Sequence, residues 1–185
     1  IYTKKNMNWG GSSKNGWRLR SWLADGIIAQ NTDMLRDFFP DWKKVTLIPR
    51  GVDTNEFTPG PSNPAIRKQF GLATDDRLII CVANLVPVKG IEVLLEAFDR
   101  IKEIFPDVKL VIVGDDASAY GTQLKQMAGQ IAPDRIFFTG KVMNVKDYLH
   151  TADIFVLPTL NKGRQEGSPV SLLEAMACWV PVLAS

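Results

Sequence analysis

Glu166 and Glu174 are separated by seven residues, Gly167-Ser168-Pro169-Val170-Ser171-Leu172-Leu173, a stretch that reads as a loop feeding a helix. Ser168 suits the N-cap and Pro169 the first helical position. The unpaired N–H groups and positive dipole end of such a helix would attract an anion, and a diphosphate fits there. Glu174 then lies about one and a half turns into the helix, where its carboxylate can accept hydrogen bonds from a ribose, while Glu166 sits in the loop above. A capped helix with one exposed glutamate explains the same residues, and both readings stand at this point. Lys89 follows an apolar run and precedes Gly90, so its ammonium is placed either to stabilise a departing diphosphate or simply to face solvent. Gly114-Asp115-Asp116 suits a tight turn with helix-capping aspartates better than a binding loop. His150, the one histidine, has neither a second metal ligand nor a nucleophile near it in sequence and reads as structural.

Several chemistries are absent from the pattern. Gly11-Ser12-Ser13-Lys14-Asn15-Gly16 begins like a phosphate loop but continues with Trp17 in place of Lys-Ser/Thr. No strand is followed by a dinucleotide fingerprint, no cluster has metal-ligand spacing, and no Gly-x-Ser-x-Gly elbow occurs. Neither a metal nor an organic cofactor is expected.

The elements that must position these residues follow from periodicity. Short apolar runs at Leu78–Ala83, Leu110–Val113, Ile136–Phe138, Ile154–Leu157 and Pro181–Leu183 read as strands buried on both faces. Ile91, Leu94, Leu95, Phe98, Ile101 and Phe105 form a helical stripe that ends before Pro106. Repetition of this βαβ unit gives an α/β domain, a Rossmann-like parallel sheet with helices on both faces. Its ligands should bind at the carboxyl ends of the strands. Upstream, a helix ends near Trp22, a strand spans Gly26–Ala29, a helix covers Thr32–Phe39 and a strand covers Val45–Ile48. These elements are too few for a core of their own and read as the tail end of an N-terminal domain. The expected organisation is a remnant of that domain over 1–49, a proline- and glycine-rich linker over 50–64, and the Rossmann-like domain over 65–185, incomplete because no helix follows its fifth strand.

With 185 residues, 45% apolar and 23% charged, the chain has the composition of a globular domain. A net charge of +2 gives no reason to expect nucleic acid. The charge is uneven, since residues 1–24 carry Lys4, Lys5, Lys14, Arg18 and Arg20 with no acid, interleaved with Trp9, Trp17 and Trp22. That pattern suits either a membrane or polyanion interface or a solvated segment whose tryptophans pack on other parts of the protein. Cys81 and Cys178 sit in separate apolar runs and read as buried, reduced thiols. With no signal peptide and no apolar run near the ~18 residues of a membrane span, a cytoplasmic location is expected, with membrane association left open.

Four segments together resemble the group-one retaining glycosyltransferases, family four of the sugar-transferase classification with the GT-B fold. They are Ile48-Pro49-Arg50-Gly51-Val52-Asp53 through Phe57-Thr58-Pro59, Val82 through Gly90, Leu110 through Asp115, and Glu166 through Ala177. The resemblance covers roughly residues 24–185. It implies the C-terminal donor-binding domain of a GT-B enzyme, truncated at both ends and inactive alone. It also implies that Glu174 binds the donor ribose, Glu166 lies beside the donor sugar, Gly167 and Ser168 contact phosphate or sugar, and Pro169 and Val170 complete the substrate-binding loop. Lys89 is implied to bind the diphosphate, and backbone near Lys141 and Val142 to meet the base. The implied partners are a nucleotide-sugar donor and a glycan, lipid-linked or small-molecule acceptor, with peripheral membrane contact through the N-terminal domain. The implied transfer retains anomeric configuration and needs no metal.

Asn84 stands where the family usually has an arginine, five positions before the lysine, which removes one of two expected phosphate-binding cations. Arg50 beside Gly51, or Lys162 or Arg164 in the loop before Glu166, could supply the missing charge; a non-catalytic nucleotide-sugar-binding module is the alternative reading. A sugar-nucleotide epimerase or a phosphorylase of the same fold is a more distant one. Reversing the charge at Arg50, Lys162 and Arg164 in turn, with donor affinity as readout, should weaken binding about tenfold or more at the substituting cation. A position whose reversal leaves affinity unchanged is not that cation.

Overall fold

A computed structural model describes residues 2–3, 14–38, 44–160 and 169–185. The chain divides into two compact units, one holding the described residues up to Gly51 together with Pro169 and Val170, and the other built from Val52–Leu160 and Ser171–Ser185. The first unit runs β1 (Tyr2–Thr3), α1 (Lys14–Leu23), β2 (Ile27–Ala29), α2 (Thr32–Phe38) and β3 (Val45–Leu47). Its three strands form a parallel sheet in the order β1-β2-β3, with Ile27, Ala29 and Met34 fully buried. The expected upstream elements are all present, within a residue or so at their ends; Phe39 lies outside the described residues.

The second unit opens with α3 (Pro64–Gln69), β4 (Arg77–Val82), a 3-10 turn over Pro87–Lys89 and α4 (Ile91–Ile101). It continues through β5 (Val108–Val113), α5 (Ala119–Ile131), β6 (Ile136–Phe138), α6 (Val145–Thr151), β7 (Ile154–Leu157), α7 (Val170–Ala177) and β8 (Val182–Ala184). All four strand pairings are parallel and the order is β6-β5-β4-β7-β8. The central strands are the apolar runs seen in sequence, and Leu78, Ile80, Leu110, Ile112 and Phe155 are fully buried. From β4 the chain steps outward to β5 and β6, then returns to the other side of β4 for β7 and β8. This reversal puts the switch point of the sheet between β4 and β7, the place where open parallel sheets of this kind bind their ligands.

Val52–Pro64 belongs to the second unit and is tied to it. The carbonyl of Thr58 lies 2.7 Å from His150 Nε2, and Asn63 N–H donates to Thr151 Oγ1 at 3.1 Å. Asn63 also caps α3 through a 2.9 Å bond from Ala65 N–H. His150 thus clasps the entry segment to α6, the structural part its sequence context suggested.

Two expectations are corrected. Helix α5 is capped by Ser118, whose Oγ accepts from Gly121 N–H at 3.0 Å, and not by the preceding aspartates. Asp115 instead closes an Asx turn onto Ala117 N–H at 3.1 Å. Strand β8, expected to be buried on both faces, is exposed along its length, with Leu183 at 60%. It is an edge strand, and apolar periodicity does not distinguish an edge strand from a central one.

Helix α7 ends in a Schellman motif in which Val180 N–H donates to Ala175 C=O and Trp179 N–H to Met176 C=O, both at 3.0 Å. The left-handed position that usually takes glycine is Trp179, at φ 61°. The residue is 81% exposed, so little packing offsets the backbone cost of about 1–2 kcal/mol. Replacing Trp179 with glycine should therefore raise stability by up to about 1 kcal/mol, after the extra chain entropy of glycine, and the thermal midpoint by about 2–4 °C. Calorimetric or circular-dichroism melting checks this.

Candidate functional site

The loops on either side of the switch point are bonded to each other. Leu160 N–H, past the end of β7, donates to Val88 C=O at 2.8 Å. Gly90 lies against the same stretch: a Cβ there would fall 2.0 Å from Pro158 O and 3.1 Å from the Leu160 side chain. Its φ is 64°, so both the left-handed backbone and the close approach require glycine. This contact fixes Lys89, the last residue of the 3-10 turn, at the carboxyl end of β4 and immediately before α4.

Backbone bonds continue along the rim. Ala83 N–H donates to Val113 C=O at 3.0 Å, and Gly114 N–H to Gly140 C=O at 3.2 Å. A Cβ on Gly114 would fall 2.0 Å from Ala83 O, so the ends of β4 and β5 are in backbone contact. The residues that follow β4, β5 and β6, with Pro158–Leu160 after β7, therefore form one edge joined by backbone contacts, which carries several of the sequence-predicted residues. Asn84 lies exposed just past β4 and Lys89 is half-buried. Lys141 is exposed and Val142 half-buried beyond β6, at the outer end of the rim.

Beyond β7, Pro169 and Val170 are half-buried, and α7 starts at Val170, one residue later than expected. Glu166, Gly167 and Ser168, with Lys162 and Arg164, lie outside the described residues. Glu174 is half-buried on α7. Burial pushes its carboxyl above the usual carboxylate range, and the negative charge of Glu56 pushes it further. Glu56 is held in a tight turn in which Phe57 N–H donates to Asp53 C=O and Asn55 N–H to Asp53 Oδ1, each at 2.8 Å. The role of Glu56 was missed in sequence, where a surface glutamate 118 positions away gives no sign of facing Glu174.

Arg50 and Gly51 belong to the first unit. Arg50 Nε donates to Gln30 Oε1 at 3.3 Å, and Gly51 is exposed, with nothing near its open side. Beneath the rim, Cys81 is fully buried, and that burial pushes its thiol up to about 12 against the opposing charge of Lys89. Cys178 is buried and unpaired as well, so both cysteines are the inert thiols expected. Among the described residues no cluster of three metal-ligating side chains occurs, and no helix is long and apolar enough to cross a membrane.

A parallel sheet whose switch point carries a lysine before one helix, and the start of another helix across from it, is the architecture of the donor-side domain of GT-B glycosyltransferases. The profile of the family described as glycosyl transferases group 1 matches residues 62–185, and the chain belongs to that family. A GDP-mannose-dependent alpha-(1-6)-phosphatidylinositol monomannoside mannosyltransferase of Mycolicibacterium smegmatis is 35% identical over 144 residues, 74% of this chain and 37% of that protein. A UDP-Gal:alpha-D-GlcNAc-diphosphoundecaprenol alpha-1,3-galactosyltransferase of Escherichia coli is 28% identical over 154 residues, 82% of this chain and 39% of that protein. The chain thus spans about two fifths of the length of these relatives. The crystal structure of HepE from Anabaena, in complex with UDP and glucose, superimposes with a TM-score of 0.80 at 22% identity, covering 99% of this chain and 51% of that one.

The position of Glu174 sets up an opposition between stability and charge. Its carboxyl titrates higher in the folded than in the unfolded chain, so the folded state is favoured below the unfolded value and loses that advantage as pH rises through the folded one. Glu174→Gln should therefore raise the thermal midpoint at pH 7, by the equivalent of less than about 1 kcal/mol given its partial exposure, and leave it nearly unchanged at pH 4. Melting curves at the two pH values test this; an equal shift at both would assign the gain to packing instead of charge.

Proposed function

We propose that this chain supplies the donor half of an enzyme that transfers a sugar from a nucleotide-diphosphate sugar to an acceptor with retention of anomeric configuration. The observation that carries the proposal is the Val88–Leu160 and Gly90–Pro158 contact, which holds Lys89 at the switch point of the sheet. Lys89 then faces the diphosphate, and the free N–H groups at the start of α7 add positive potential on the other side of the switch point. As the bond from the anomeric carbon to the diphosphate oxygen breaks, negative charge grows on that oxygen where these groups are already oriented. Glu174 accepts hydrogen bonds from the ribose, Glu166 lies by the sugar, and backbone near Lys141 and Val142 meets the base. The acceptor oxygen attacks from the face the diphosphate leaves, and the acceptor is a glycan, a lipid-linked sugar or a small molecule.

Asn84 supports a second reading, a non-catalytic nucleotide-sugar-binding module, because it leaves the end of β4 without the second cation. Transfer activity in a chain carrying both domains separates the two readings, since only the first expects it. Calorimetric titration of this chain with guanosine and uridine diphosphates and their sugars tests the site. Both bases belong in the panel because the relatives' names carry both. One nucleotide family should bind in the micromolar to millimolar range, about −8 to −4 kcal/mol. Lys89→Ala and Glu174→Ala should each weaken it about tenfold or more. Binding unaffected by either substitution would move the site elsewhere.

A further inference from the structure

Asp116 stands where the residues leaving β5 and β6 meet. Its main-chain carbonyl packs on Gly121, in the first turn of α5, with no room for a Cβ between them. Its carboxylate is largely buried, and Oδ2 meets the Lys125 ammonium, one turn further along α5, at 2.6 Å. Oδ1 lies against the open side of Gly140, 3.6 Å from where a Cβ would sit. Gly140 has φ 68°, and its carbonyl accepts from Gly114 N–H at 3.2 Å, so this turn is held against the end of β5 and leads directly into Lys141 and Val142. The neighbouring acids are engaged within their own turns: Asp115 accepts from Ala117 N–H at 3.1 Å, and Asp147 Oδ2 accepts from Asn144 Nδ2 at 2.6 Å. Asp116 is thus an oriented carboxylate, held on one oxygen by a cation and turned with the other toward the glycine that begins the Lys141–Val142 segment.

We propose that Asp116 reads the base of the donor and selects guanine, an inference that rests on the reading in which the base meets backbone near Lys141 and Val142. A carboxylate paired with an ammonium only accepts hydrogen bonds. Guanine presents its N1–H and its N2 amine side by side, so a single oxygen such as Oδ1 can accept from both. Uracil offers one N–H between two carbonyls, which a carboxylate repels. Adenine and cytosine set a ring-nitrogen acceptor beside their amine, so each offers one donor where guanine offers two. A mismatched base therefore leaves a largely desolvated carboxylate unpaired or facing an acceptor, and that penalty is the source of discrimination. Lys125 and the Gly121 contact fix the carboxylate beforehand, which limits the side-chain entropy lost when the base arrives.

Calorimetric titration of the 185-residue chain with the diphosphates of guanosine, inosine, xanthosine and uridine tests it. Inosine lacks the N2 amine, and xanthosine carries a carbonyl in its place. The wild-type chain should bind guanosine diphosphate about tenfold or more tighter than inosine diphosphate, with the xanthosine and uridine diphosphates weaker still. Asp116→Asn keeps the size of the side chain but supplies an N–H donor. It should weaken guanosine diphosphate about tenfold or more and tighten xanthosine diphosphate by a similar factor, a gain that mere loosening of the loop does not produce. The wild-type comparison decides the matter even where the variant folds poorly. Equal affinity for guanosine and inosine diphosphates, a preference for uridine diphosphate, or a uniform loss across all four in Asp116→Asn would each overturn the assignment of Asp116 and leave the donor site standing. Binding of none of the four would overturn both.

Discussion

The close approach of backbone to backbone at the switch point is the constraint on which the candidate site depends. Gly90 packs on Pro158 O with no room for a Cβ, and the 2.8 Å bond from Leu160 N–H to Val88 C=O joins the two exit loops across β4 and β7. A hydrogen bond of this kind contributes only about 1 kcal/mol net. Its effect is geometric, because it restricts the loop that carries Lys89 and would so reduce the entropy lost on binding any ligand there. Gly114 against Ala83 O extends the same device to β5, so the rim is held by main chain and not by rotatable side chains.

One polar group, on α7, works against stability. Glu174 is partly buried and faces the charge of Glu56, and both effects oppose its ionisation. An ionised carboxylate in such a place costs the folded state free energy. The ion pair at the opposite end of the sheet differs: Lys109 meets Asp76 at 2.8 Å with both side chains largely buried, which satisfies two charges where β5 begins. Asp153 likewise accepts from Leu78 N–H at 2.8 Å and meets Arg77 at 3.0 Å, joining the starts of β4 and β7. The amino ends of β4, β5 and β7 are thus neutralised by paired charges.

The order of elements in the second unit was legible because buried parallel strands are apolar at every position and amphipathic helices repeat every three to four residues. Leu110–Val113 and Ile154–Leu157 could hardly be anything else. Strand β8 was legible as a strand but not as an edge, since exposure depends on what packs beside it. The Gly90 requirement was visible only as a glycine after a lysine, because the reason for it lies in Pro158, 68 positions later. Pairing of Glu56 with Glu174 left no local trace at all.

The sequence by itself determined the types and order of the elements, the apolar core and the family, because these rest on local periodicity and on motifs that are short runs of residues. Tertiary structure alone decided the strand order, the switch point between β4 and β7, the meeting of the two exit loops, and the like charge beside Glu174. Each of these is a contact between segments distant along the chain, set by how layers pack and by the handedness of the crossovers, and no window of neighbouring residues contains that information.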